Sequence, residues 1–102
     1  MSTSICDFCS EPNVVWLYPA RTFVAYAVAG IVGQSVGDWA ACTTCHALIE
    51  KGDRAELLDR SVHRLLEKHP DMRRDEADVR RHLEAIHQLF FEHQIGAALP
   101  VA

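Results

Sequence analysis

A chain of 102 residues, 49% apolar and 24% charged, has the length and composition of one globular domain, which excludes a disordered chain. Its formal charge of -4 works against roles that lean on neutralising phosphates with clustered Lys and Arg. The most apolar stretch, Phe23 to Val32, falls far short of the roughly 20 residues that span a bilayer, so no membrane partner is expected.

The N-terminal Met-Ser-Thr-Ser-Ile-Cys lacks the basic-then-apolar pattern of a secretory leader, and a cytoplasmic protein is expected. Cys6-Asp-Phe-Cys9 follows, then turn chemistry at Glu11-Pro12-Asn13. Val14 to Tyr18 predicts a strand of β-branched and aromatic residues, with Pro19 at an edge or bend. Thr22 to Ala29 alternates, with Val24, Tyr26 and Val28 on one face and Phe23, Ala25, Ala27 and Ala29 on the other. Gly30, Gly33 and Gly37 punctuate the return, and Asp38 to Ala41 predicts a short strand into Cys42-Thr-Thr-Cys45. A strand, hairpin or small meander between the cysteine pairs is the simplest arrangement.

Past Cys45 the period changes. His46 to Lys51 predicts a short helix ended by Gly52. Asp53 caps the next helix, with Glu56 completing a capping-box pattern. Leu58, Val62 and Leu65 recur at helical spacing, broadened by Leu57 and Leu66, until Pro70 closes the helix near His69. A third helix is expected to begin between Asp71 and Asp75. Val79, Leu83, Ile86 and Phe90 form its stripe, and Gly96 its end. The short connection predicts a helical hairpin. The expected fold class is α+β within a single domain, 1–102. A zinc-binding module with a β-hairpin spans 1–52, a two-helix hairpin 53–96 and a tail 97–102.

The two Cys-x-x-Cys pairs carry the strongest chemical signal. Each places two sulfurs on one side of a tight turn, and two such turns complete a tetrahedron. Cys6, Cys9, Cys42 and Cys45 are therefore the expected ligands of one Zn²⁺ per chain. In a reducing compartment such pairs suit a metal or redox chemistry better than a disulfide. Three competitors share the residues. Cys42-Thr-Thr-Cys45-His46 matches a haem-attachment pattern but leaves Cys6 and Cys9 unexplained. A redox dithiol would want a thioredoxin-like βαβ context, which is missing. Iron suits four sulfurs too, and only metal analysis separates it from zinc. Four thiolates leave no open position for water, so a closed, non-catalytic site is expected.

The second pair runs straight into a helix, and this arrangement resembles treble-clef zinc fingers. Cys6-Asp-Phe-Cys9-Ser10 also resembles the first knuckle of the zinc-binding domain of Clp-type unfoldases, over about the first 50 residues. The resemblance implies a knuckle, a β-hairpin and a helix whose first turn supplies the last two ligands. The loop between Cys9 and Cys42 is longer than in that family, and the two C-terminal helices have no counterpart there. The chain as a whole resembles short uncharacterised bacterial zinc proteins. Treble clefs include His-Asn-His nucleases, but no His lies between Cys9 and Cys42, so that activity is excluded.

His46 is expected to support a thiolate by hydrogen bonding. Arg73, Arg74, Arg80 and Arg81 bracket Asp75, Glu76 and Asp78; they form either a solvated face of ion pairs or a weak nucleic-acid stripe, joined by Arg60 and Arg64. Trp16, Tyr18, Tyr26, Trp39, Phe90 and Phe91 exceed what a small zinc module and two helices easily bury. They form either a core under the hairpin or an interface to a partner or to a second copy in a homodimer. No paired nucleophile and base, phosphate loop or carboxylate dyad is present, so no enzyme is expected. The expected function is a structural-zinc protein acting as a small protein-interaction module or adaptor. The alternative is a small nucleic-acid-binding or transcription-associated zinc-finger factor.

Overall fold

The computed structural model describes residues 5–28, 31–35 and 37–101, with the backbone alone for 25–28 and 31–34. The described elements run β1 (Val14–Tyr18), β2 (Phe23–Val28), β3 (Ile31–Ser35), β4 (Trp39–Cys42), α1 (Thr43–Lys51), α2 (Arg54–Lys68), a 3₁₀ turn (Pro70–Asp75), α3 (Glu76–His93) and β5 (Leu99–Pro100). The fold is α+β, with small antiparallel sheets and a C-terminal helical hairpin of α2 and α3.

β1 pairs antiparallel with β4, from Val14 opposite Cys42 to Tyr18 opposite Trp39. This ladder carries the second cysteine pair to the first. The β2–β3 hairpin is inserted between these two strands, which accounts for the long loop separating Cys9 from Cys42. Gly33 sits inside the returning strand β3, opposite Tyr26. An irregularity between Val24 and Tyr26 shifts the register there. The expectations for Ala29 and Gly30, and for side-chain alternation from Ala25 through Val28, lie outside the described residues, as do Met1–Ser4 and Ala102.

The segment expected to be a tail is partly a strand. β5 extends the sheet in the order β4-β1-β5, with Leu17 opposite Leu99 and Trp16 opposite Pro100. The Val101 N–H donates to Val15 O at 2.9 Å. Pro100 can occupy this strand because an edge position does not need its missing donor.

The helix boundaries follow local chemistry. α1 starts at Thr43, earlier than expected, with Cys42 at its N-cap position, and Gly52 closes it in the left-handed region at φ 80°. The Asp53 carboxylate accepts the Glu56 N–H at 3.1 Å, the cap anticipated from the sequence. α3 stops at His93, short of Gly96, and tertiary pairing ends it. Arg21 N–H donates to His93 O and Ile95 N–H to Pro19 O, both at 2.9 Å, drawing the chain into an extended run beside residues 19–21.

Two apolar clusters hold these elements. The larger joins Phe8, Tyr18, Phe23, Trp39, Leu57 and Phe90 to all four cysteines. The smaller is aliphatic, with Leu58, Val62 and Leu66 of α2 against Met72 and Leu83. No helix among the described residues is long and apolar enough to cross a membrane.

Candidate metal centre

The first knuckle is a tight turn: Cys6 N–H donates to Glu11 O, and Ser10 N–H to Cys6 O, both at 2.8 Å. Closing it puts Ser10 at φ 65°, a left-handed conformation that glycine adopts without strain and serine does not. Asp7 fastens the knuckle to β4 by two bonds to one residue. Its N–H donates to Ala40 O at 2.8 Å, and its Oδ2 accepts the Ala40 N–H at 2.6 Å. Phe8, the other residue inside the knuckle, points into the core. Its ring meets Trp39 at 5.0 Å, Phe90 at 5.2 Å and His87 at 5.6 Å.

These contacts bring Cys6, Cys9, Cys42 and Cys45 together, all four buried, with their Sγ atoms within 4.8 Å of one another. The Cys9–Cys42 sulfur separation is 3.7 Å. A regular tetrahedron with metal–sulfur bonds of about 2.3 Å has edges of about 3.8 Å. The four residues are therefore positioned to bind one metal ion. Cys42 and Cys45 sit at the head of α1, where unpaired N–H groups and the helix dipole favour negative charge.

The electrostatics of the sulfurs alone are frustrated. The Cys6 thiol is pulled down to about 5, chiefly by a hydrogen bond from Cys45 working against burial, with backbone N–H groups of Cys42, Cys9 and Phe8 adding to it. Cys45 is pushed up by donating that bond and by burial. Burial pushes Cys9 up to about 11. Four such groups cannot all ionise side by side without a cation among them. A bound dication removes that obstacle, because coordinating thiols are deprotonated outright.

His46 does not support a sulfur as expected. Its Nδ1 hydrogen-bonds the Tyr18 hydroxyl at 2.8 Å, and its ring stacks on Trp16 at 4.0 Å. Tyr18 donates in turn to Glu50 Oε2 at 2.9 Å. A cation near the sulfurs is Arg60 of α2. Burial works to lower its pKa, but the nearby sulfurs of Cys45, Cys9 and Cys42 raise it, and the net shift is upward. Arg60 was legible only as a helix-surface cation. Its contact depends on how α2 docks.

The aromatic residues expected either in a core or at an interface divide. Tyr18, Trp39 and Phe90 are core, with Tyr18 and Phe90 wholly inaccessible, which corrects their assignment as surface candidates. The hairpin packs over the sheet and covers them. Trp16 is half-buried against His46. Phe91 is half-buried beneath the Arg54 guanidinium, 3.9 Å from its ring centre. The Tyr26 side chain lies outside the described residues. Three arginines of the stripe face carboxylates: Arg80 pairs with Asp59 of α2 at 2.6 Å, Arg81 with Asp78, and Arg74 with Asp75 at 4.0 Å. Arg73 is exposed.

Compared with protein-family models, curated proteins and solved structures, the chain finds no match in any of the three.

Proposed function

We propose that the protein is a structural-zinc protein acting as a small protein-interaction module or adaptor. One Zn²⁺ per chain, held by Cys6, Cys9, Cys42 and Cys45, ties the N-terminal knuckle to the head of α1 in a treble-clef-like arrangement. The observation that carries this is the set of four buried sulfurs within 4.8 Å of one another. Four thiolates fill a tetrahedron and leave no position for water, which supports a closed, non-enzymatic site. A reducing cytoplasm, which keeps the thiols free for metal, is the proposed compartment.

The interaction role is supported by the outward face of β1 and β5. Alternation puts Leu17 on the side away from Trp16 and Tyr18, and Val15 lies at an irregularity of the β1–β4 ladder between Val14 and Trp16. Leu99 lies opposite Leu17, and Val101 bonds to Val15. Val15 is 36%, Val101 43% and Leu99 56% exposed, a small apolar strip of the kind that marks association. The partner is another protein or a second copy of the chain. The nucleic-acid alternative is weakened by charge. Four thiolates around one dication take the holo-protein from -4 toward about -6, and three of the four arginines in the stripe already face carboxylates.

Metal analysis of the purified protein is expected to return one zinc per chain with no visible absorption. A visible band would indicate iron and a Soret band haem. Light scattering of the native protein beside Leu99→Asp tests self-association. Micromolar DNA or RNA binding with a steep salt slope would overturn the adaptor assignment.

A further inference from the structure

We propose that Arg60 is the outer-sphere cation of the metal centre, a positioning residue through which α2 retains the metal and docks the helical hairpin on it. This rests on the reading above that the four sulfurs hold Zn²⁺. Three observations carry it. Arg60 and Cys42 line the same shallow depression of about 220 Å³ beside the knuckle, with Glu11 and Thr43. Among the described residues no carboxylate pairs with Arg60, whereas its neighbour Arg64 has Glu11 and Glu67, both at 3.2 Å. The Arg60 Nε is buried and meets no hydrogen-bond acceptor, so the side chain is held inward without a conventional partner.

The register of α2 explains the placement. Arg60, Arg64 and Lys68 are spaced by four residues and share one helix face. Arg64 grips Glu11, and the Lys68 ammonium donates to Ser10 O at 2.6 Å. These two contacts lay α2 along the loop after Cys9 and set Arg60 at the depression it shares with Cys42. The chemistry suits the position. A tetrathiolate around a dication keeps a net negative charge, and a buried net charge is costly unless it is paired. A guanidinium offers several donors and stays charged, and donors to ionised acceptors make the stronger hydrogen bonds. Losing such an outer partner typically lowers metal affinity roughly 10- to 100-fold.

The test is the rate at which Zn²⁺ passes from the holo-protein to a colorimetric chelator in excess, measured beside zinc content and far-ultraviolet circular dichroism. Arg60→Gln is expected to bind one zinc and release it roughly tenfold faster or more. Arg60→Lys, which keeps the charge and loses the fork, is expected to fall between Arg60→Gln and wild type. Arg80→Gln, which breaks only the pair with Asp59, is expected to release at the wild-type rate. Wild-type release from Arg60→Gln would overturn the proposal. So would Arg60→Lys releasing as fast as Arg60→Gln, since that outcome assigns the effect to packing. If Arg60→Gln does not fold, Arg60→Lys against wild type decides: faster release with unchanged helicity supports the role, and equal release overturns it. Wild-type protein without metal would instead overturn the zinc assignment itself, and zinc content, measured first, tells the two failures apart.

Discussion

The two apolar clusters are built on different physics. The smaller, Leu58, Val62 and Leu66 against Met72 and Leu83, is a helix–helix seam that needs only apolar area at helical spacing. The larger draws residues from the knuckle, β1, β2, β4, α1, α2 and α3, and sets four sulfurs, the Tyr18 hydroxyl and the buried His87 among aromatic rings. Apolar area alone does not stabilise such an arrangement, because buried polar groups must be paired and buried charge compensated. The difference teaches where stability is conditional. The seam holds whenever the helices form, whereas the sulfur–aromatic core holds only when its charges are matched.

The sharpest way to break the comparison is to remove the metal. Chelation, or Cys42→Ser, is expected to withdraw on the order of 10 kcal/mol of coupled binding and folding energy. The near-ultraviolet signal of Trp16 and Trp39 is expected to collapse while part of the helical far-ultraviolet signal persists. If Cys42→Ser keeps its metal and its melting temperature, the four-sulfur site is wrong.

Truncation compares the clusters directly. Phe90→Ala removes a wholly buried ring that meets Phe8, Trp39, Tyr18 and Phe91; a loss of about 4 kcal/mol is expected. Leu66→Ala, in the seam, is expected to cost about 2 kcal/mol and to leave zinc content unchanged. Denaturant melts of both holo-variants give the ranking, and equal losses would erase the distinction.

Acid sharpens it further. His87 hydrogen-bonds Ser61 at 3.3 Å, and burial pulls its pKa from 6.5 down to about 4. The unfolded chain therefore takes up this proton first. Stability is full above pH 6.5, falls as pH drops toward 4, and levels off below. The difference amounts to about 3 kcal/mol at most. His87→Gln is expected to lack this component, so the gap between variant and wild type isolates it from acid loss of the metal.

The smallest effect is a gain. Ser10→Gly is expected to relieve the left-handed strain at φ 65° and stabilise the knuckle by about 1 kcal/mol, leaving the Lys68 bond to the Ser10 carbonyl intact. A lowered denaturation midpoint would mean that the serine side chain contributes more than its backbone strain costs.

The sequence alone determined what is local or chemically singular. Two Cys-x-x-Cys pairs specify a four-sulfur set by spacing, Asp53 and Glu56 specify a helix start, Gly52 specifies a stop, and the Leu58–Val62 stripe specifies a buried face. Each depends on a few neighbouring residues and on geometry every chain shares. The rest needed partners distant in sequence. Alternation separates Tyr18 from Leu17 but cannot say which of the two α3 will cover. Adjacency to Cys45 put His46 forward as the sulfurs' helper, yet the sheet turns it to Tyr18 and Trp16, while α2 sets Arg60 at the depression it shares with Cys42. Leu99–Pro100 carries no strand pattern and becomes one only because β1 offers a free edge. Tertiary structure decided these because burial, charge pairing and strand addition are properties of two surfaces meeting, and one stretch of sequence describes only one of them.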